Sequence, residues 1–324
     1  MTPLLELRDL RTYYPVKNGG LAPVRGHLKA VDGVSLSIRA GETLGLVGES
    51  GCGKSTLGRT IVGLEKATRG SVLFRGEDMA TASRRRSREI RREIPMVFQD
   101  PQSSLNPRMK VVDIVTEGLR VPGARMRGTA RRDRAAELLS VVGLRPEHLD
   151  RYPSEFSGGQ RQRIGVARAL AVNPSVIIAD EAVSALDVSV QAQVLNLLCD
   201  LQRDFQLTYV FIAHDLSVVE YVSDRVGVMY LGRIVELAGA AELAAHPRMP
   251  YTQALLSAIP QVTAVEGRER IVLSGEPPNP IDPPSGCPFR LRCWKAQDVC
   301  AERRPELLEV RPEHWTACHF PDES

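Results

Sequence analysis

Apolar and polar residues alternate along three short segments of the first 80 residues, LLELRDL, AVDGVSLSI and SVLFRG, each bounded by Gly, Asn or Asp. That period of two predicts half-buried strands. Between the first two lies VKNGGLAPVRGHLK, whose Gly and Pro residues predict a loop. TLGLVGES then leads through a glycine-rich turn into KSTLGRTIVGL, the pattern of a strand followed by an apolar-periodic helix. From about Ser83 to Ala171 the composition shifts to Arg, Glu, Ala and Leu, and ARRDRAAELLSVVGL and QRQRIGVARALA carry helical periodicity. VIIAD and LTYVFIAHD are continuous apolar runs, the form of strands covered on both faces of a parallel sheet. VQAQVLNLLCDLQRDF, between them, predicts the intervening helix. After about Ala240 the pattern changes again. Pro247, Pro250 and Pro260 precede GEPPNPIDPPSG, whose Pro density excludes helix and central strand and predicts a linker or an extended wrap. No internal repeat stands out.

The length of 324 residues suits roughly two domains and a sizeable core. With 43% apolar and 25% charged residues, disorder, collagen and a coiled-coil rod are excluded. Lys plus Arg is 42 and Asp plus Glu is 39, and a net charge of +3 does not by itself argue for nucleic acid. The run from Arg84 to Glu93 has both signs, helical spacing and no interleaved aromatics. It predicts a solvated helix face rather than a nucleic-acid surface, with an electrostatic use near anionic lipid or a membrane partner. No stretch approaches 18 uncharged apolar residues, and the N-terminus lacks the basic-then-apolar layout of a signal peptide. Four of the six cysteines (Cys287, Cys293, Cys300 and Cys318) crowd into the last 38 residues. Without an export signal, that crowding predicts metal binding before disulfides.

Candidate chemistry begins at Gly48, Glu49, Ser50, Gly51, Cys52, Gly53, Lys54 and Ser55, which match G-x-x-x-x-G-K-[ST] without departure. Glycines at these positions let backbone N–H groups curl around phosphate oxygens, and the following helix adds its dipole. Lys54 is expected to reach the β- and γ-phosphates and the Ser55 hydroxyl to ligate Mg²⁺, with Thr56 next in line. Cys52 is read as simply a small residue. A second acidic site closes VIIAD. Asp180 stands where a carboxylate holds Mg²⁺ through water, and Glu181 where one polarises an attacking water. Two solvated acids at a strand end would be the simpler reading of this pair alone; the phosphate loop upstream displaces it.

Phe156-Ser157-Gly158-Gly159-Gln160 stands about 20 residues before the acidic pair and resembles the signature motif of ABC-type ATPases. Gln99 in MVFQDP, Ser184 to Asp187 after the acids, and His214 in VFIAHD follow the order of that family. The resemblance covers roughly residues 4–240, departing at Ala182, where many relatives carry Pro. It implies an α/β P-loop NTPase fold with a RecA-like core, an antiparallel β subdomain, a helical subdomain and a Cys-rich extension. It further implies two ATPase domains meeting head to tail, with Ser157, Gly158, Gly159 and Gln160 facing the partner's nucleotide. Glu181 is then the general base, and His214 bridges the γ-phosphate. Gln99 senses Mg²⁺ and water, Asp187 communicates across the dimer, and Tyr14, or its neighbour Tyr13, stacks on adenine.

DPQSSLNPRM after Gln99, PYTQALLSAIP around Tyr251 and PPNPIDPPSGCPFRLRC resemble the ATPase subunits of oligopeptide/dipeptide importers; YYPVKNGG resembles one half of an unequal ATPase pair. The resemblance implies a non-identical second ATPase, two multi-span permeases contacted through DPQSSLNP, and indirectly an extracytoplasmic binding protein, at the cytoplasmic membrane face. Nickel or oligosaccharide transport, an export or metal-transport subunit, and a non-transport ABC ATPase are the alternatives. The gap from Ser55 to Ser157 lacks the coiled-coil insert of DNA-repair relatives, and one ATPase unit is half of what ribosome-associated ones carry. Spacing C-x5-C-x6-C-x17-C leaves zinc, an iron–sulfur cluster and free thiols open. The resemblance implies a 4Fe–4S cluster on the four cysteines, with His319 a bystander. The expected domains are 1–85 and 171–245 for the ATPase core, 86–170 for the helical subdomain and 246–324 for the extension.

Overall fold

The computed structural model describes residues 2–17, 24–120, 126, 128–259 and 270–322. Two compact units divide the chain: Met1–Ile38 with Glu42–Ala80 and Ile212–Ser324, and Arg39–Gly41 with Thr81–Phe211.

In the first unit, strands Leu5–Lys17 and Val24–Ile38 form a long antiparallel hairpin, and Leu5–Lys17 pairs on its other side with Arg69–Phe74. The segment expected as a loop is therefore largely ladder, since Tyr14 pairs with Leu28 and Val16 with Gly26. Pro15 is tolerated there because the pairing to Arg69–Phe74 ends at Arg11, leaving Pro15 in a stretch with one neighbour. Residues 18–23 of that segment, including the end of YYPVKNGG, lie outside the described residues, as does Pro260. The inward residues Leu5, Leu7, Leu10, Val34, Leu36 and Ile38 are buried, as the alternation requires.

The second sheet of this unit holds the phosphate loop. Thr43–Val47 runs parallel to Arg225–Tyr230, and every residue of both strands is buried. Arg233–Gly239 pairs antiparallel to Arg225–Tyr230, and His314–Thr316 and Leu308–Arg311 continue the order outward. These last two strands belong to the cysteine-rich tail. Residues 270–297 contain neither helix nor strand, as the Pro density predicts, and the Pro280 carbonyl accepts the Lys29 N–H at 3.3 Å. The tail hairpin was not foreseen; it is docked by a buried carboxylate. Glu236 Oε1 accepts the Arg248 N–H at 2.6 Å and His314 Nε2–H at 2.8 Å, and Oε2 accepts the Met249 N–H at 3.2 Å. Removing one partner from such a pair typically costs about 3–5 kcal/mol, because it leaves a polar group buried and unmatched.

The second unit carries strands Met96–Val97, Val176–Asp180 and Thr208–Ile212, with Met96–Val97 parallel to Val176–Asp180. Helix Val188–Phe205 joins the last two strands, as the apolar pattern predicts. Gly128–Val141 and Gly158–Leu170 are the other long helices. Arg84–Glu93 is a helix capped by Ser83 whose only buried residue is Ile90, so the charged run is a solvated face. Among the described residues no helix is long and apolar enough to cross a membrane.

Candidate nucleotide site

The phosphate loop leaves the buried strand Thr43–Val47 and enters helix Lys54–Ile61. Glycine is required at two of its positions for steric reasons beyond the positive φ. A Cβ on Gly48 (φ 154°) would lie 2.2 Å from the Met229 carbonyl oxygen, and one on Gly53 (φ 106°) 1.9 Å from that of Ala30. Lys54 is buried, and its Nζ donates to the carbonyls of Gly48 at 2.7 Å and Glu49 at 3.1 Å. An ammonium held inside a ring of backbone groups is poised to meet an incoming phosphate at little entropic cost. Cys52 is buried among them, and burial pushes its thiol up although Lys54 lies close. Tyr14 is half-buried with Thr56 of the loop helix beside its phenol. Tyr13 donates its O–H to Asp32, which also takes both prongs of Arg233, so its polar end is committed to the scaffold. His214 is exposed just past Thr208–Ile212, where Asp215 caps helix Leu216–Val222.

In the second unit Asp180 is the buried last residue of its strand. Glu181 follows at φ 47°, a left-handed conformation uncommon for a side chain with a Cβ. Its Oε2 accepts Gln99 Nε2–H at 2.7 Å, and its carbonyl accepts the Ser184 hydroxyl at 3.0 Å. The two residues read separately from the sequence as base and sensor are therefore in direct contact. Asp187 begins helix Val188–Phe205 at an exposed position. Ser157 and Gln160 form a reciprocal capping box at the start of Gly158–Leu170, with Gln160 Oε1 accepting the Ser157 N–H at 3.0 Å. Gly159 is a contact glycine, since a Cβ there would meet Val190 at 2.3 Å. The exposed N-terminus of this helix, with its hydroxyl and free N–H groups, suits an anion.

The four tail cysteines are all free. Cys287 and Cys300 are buried, Cys293 and Cys318 partly so, and the Cys287 N–H donates to the Cys300 carbonyl at 2.7 Å. Burial, with smaller contributions from the other three cysteines, pushes the Cys318 thiol up to about 11. The Phe320 N–H lies 3.4 Å from Cys318 Sγ. Among the described residues no group of three or more His, Cys, Asp or Glu side chains is placed to hold a metal ion. His319 Nε2 is hydrogen-bonded to the Arg303 carbonyl at 2.8 Å.

Residues 31–184 match the ABC transporter family, and residues 235–300 match the C-terminal region of oligopeptide/dipeptide transporters. The chain is 56% identical over 322 residues to the oligopeptide transport ATP-binding protein AppF of Bacillus subtilis, covering 98% of this chain and 97% of that one. It is 52% identical to the dipeptide transport ATP-binding protein DppF of Escherichia coli, covering 95% and 91%. The chain belongs to the ABC transporter ATP-binding family. Its fold is accordingly that of the ABC ATPases. The dimeric bacterial ABC transporter cassette MJ0796 matches with a TM-score of 0.63 at 30% identity, over 73% of this chain and 98% of that one.

Two residues that hold this ABC ATPase's phosphate loop were not read from the sequence. Arg292 of the tail forks onto Glu49 at 2.7 and 2.8 Å, and the Tyr251 hydroxyl oxygen accepts the Glu49 N–H at 2.9 Å. Tyr251 had been noted only as part of a family resemblance, and Arg292 only as part of CPFRLRC. A sequence offers no signal for a contact spanning 243 positions. A cavity of about 670 Å³ also lies in this unit, lined in part by Arg225, Arg233 and Trp315, away from the phosphate loop. Arg225 is paired with Glu42 at 2.8 Å, and Arg233 and Arg304, which also lines the cavity, share Asp32 at 2.7 and 3.6 Å.

Proposed function

We propose that this ABC ATPase binds and hydrolyses ATP to power uptake of di- and oligopeptides through separate permease subunits. The observation that carries this reading is the tail: residues 235–300 match the oligopeptide/dipeptide C-terminal region, in a chain related over nearly its whole length to AppF and DppF. Nickel or oligosaccharide uptake remains the alternative within the same branch. The partners are a second, non-identical ATPase completing a head-to-tail dimer and two multi-span permeases, indirectly served by an external binding protein. The chain itself sits peripherally on the cytoplasmic face of the membrane. ATP-driven peptide uptake by the assembled transporter tests this reading.

In the proposed reaction, backbone N–H groups of Gly51, Gly53 and Lys54 cradle the phosphates, and Lys54 transfers its hydrogen bonds from loop carbonyls to the β- and γ-oxygens. Ser55, with Asp180 through water and Gln99, would hold Mg²⁺, which would neutralise charge on the phosphates; Tyr14 rather than Tyr13 stacks on adenine, because Tyr13 is already engaged by Asp32. Glu181, steadied by Gln99, takes the proton of the attacking water as the β–γ bond breaks. His214 holds the γ-phosphate. Ser157, Gly158, Gly159 and Gln160 present a hydroxyl and a helix N-terminus to the partner's nucleotide, and Asp187 lies on the same face of the dimer.

A 4Fe–4S cluster on Cys287, Cys293, Cys300 and Cys318 completes the proposal. It is supported by the crowding of Cys287, Cys293, Cys300 and Cys318, two of them buried and two partly so, into the last 38 residues. The protein purified anaerobically is expected to be brown, with absorbance near 400 nm and about four irons per chain. Stoichiometric zinc without colour would overturn the cluster.

A further inference from the structure

The tail touches the phosphate loop itself. Glu49, the second residue of the loop, is gripped at three points: by Arg292 on both carboxylate oxygens, by the Tyr251 hydroxyl oxygen on its N–H, and by Lys54 Nζ on its carbonyl. The Arg292 side chain is 6% exposed and that of Glu49 26%, so the fork is sheltered rather than a loose surface pair. The hydrogen-bonded Glu49 carboxylate holds the Arg292 guanidinium above its ordinary range. Arg292 is itself fixed. Its N–H donates to the Phe289 carbonyl at 2.9 Å, and Phe289 packs edge-on to Tyr230 and against Tyr251, with ring centroids 5.3 Å away in each case. All three rings are essentially buried. Tyr230 ends the strand beside the loop, and Arg292 immediately precedes Cys293.

We propose that Arg292 is a positioning residue for nucleotide binding: it holds Glu49 so that the phosphate loop is preformed, and it thereby makes ATP affinity depend on the docking of the cysteine-rich tail. A bidentate fork fixes the carboxylate in direction as well as distance, which a single ammonium does not. With Glu49 fixed, its carbonyl and that of Gly48 keep Lys54 at the centre of the loop. Without the fork, the loop has to be ordered by the nucleotide at the moment of binding, and the cost appears as weaker affinity rather than slower chemistry. The residue acts through Glu49 and has no role in the bond-breaking step. The inference rests on the phosphate loop being the ATP site.

The test is titration of the full-length protein with a fluorescent ATP analogue and Mg²⁺, comparing wild type, Arg292→Met, Arg292→Lys, Glu49→Gln and the Arg292→Met/Glu49→Gln double variant. Thermal melting is recorded for each. Arg292→Met is expected to weaken binding about tenfold, equivalent to about 1.4 kcal/mol. The same variant is expected to raise KM for ATP while leaving kcat within about twofold. Arg292→Lys should recover part of the loss, and the double variant should bind no more weakly than either single variant. Affinity within about twofold of wild type in Arg292→Met, or losses that multiply in the double variant, would overturn the proposal. Should Arg292→Met lower the melting temperature, Glu49→Gln, which leaves the tail's own residues intact, decides between a structural and a positioning role. Wild-type protein that fails to bind the analogue, or a Lys54→Ala variant that binds it normally, would instead overturn the underlying assignment of the ATP site.

Discussion

Glu181→Gln is expected to bind Mg²⁺-ATP with an affinity within about threefold of wild type while its hydrolysis falls by a factor of about 100 to 10,000, the usual contribution of a positioned general base. The substitution preserves volume and leaves a side-chain oxygen able to accept Gln99 Nε2–H, the 2.7 Å contact that orients the carboxylate. It also leaves the backbone unchanged, including the Glu181 carbonyl that accepts the Ser184 hydroxyl at 3.0 Å. What it removes is the capacity to take a proton from water. The partition follows from location in the chain, because Glu181 belongs to the acidic pair at the end of Val176–Asp180 and not to the phosphate-loop motif. Single-turnover hydrolysis beside equilibrium ATP binding checks it. Near-normal turnover would remove Glu181 from the role of base.

Lys54→Ala is expected to fail one step earlier. The ammonium is buried in the phosphate loop, where it bonds two carbonyls and is the one side-chain cation of the motif. Hydrogen bonds to charged groups contribute about 1.5–3 kcal/mol each. Losing those to the β- and γ-oxygens should weaken ATP binding by about a hundredfold or more. Excess Mg²⁺-ATP should then give this variant little of the rise in melting temperature that it gives wild type, since a ligand stabilises in proportion to the logarithm of its saturation. Retained affinity would overturn the assignment of this loop as the ATP site.

How legible each part was in the sequence depends on how local its physics is. Thr43–Val47, Val176–Asp180 and Thr208–Ile212 were visible because strands buried on both faces must be continuously apolar, and each ends where a candidate site segment begins. The phosphate loop was visible because close approach of the Met229 and Ala30 carbonyls forbids a Cβ at Gly48 and Gly53, so the constraint is written in the residues themselves. The hairpin Leu5–Lys17 and Val24–Ile38 was cut short because Pro15 and the glycines signal a loop, whereas a strand with one neighbour tolerates them. Strand Leu308–Arg311 was missed because it is only four residues long: Leu308 and Val310 alternate with Glu309 and Arg311, but all four are exposed. The contact of Gln99 with Glu181 and the fork of Arg292 on Glu49 are tertiary facts. Residue type placed the first pair in one reaction, but nothing along the chain tied the second to the loop.

On the proposed reading, phosphate binding begins at the end of the buried strand Thr43–Val47 and water activation at the end of the buried strand Val176–Asp180, while Glu236 and His314 dock the tail. The central claim, an ATPase that drives peptide uptake, is tested most directly in proteoliposomes holding this chain, its partner ATPase and the two permeases, with the binding protein and a labelled oligopeptide added. The account predicts peptide accumulation that requires ATP on the side carrying the ATPases and is lost when Glu181→Gln replaces wild type. Accumulation that persists with Glu181→Gln, or ATP hydrolysis that proceeds with no peptide movement in the complete assembly, would contradict it.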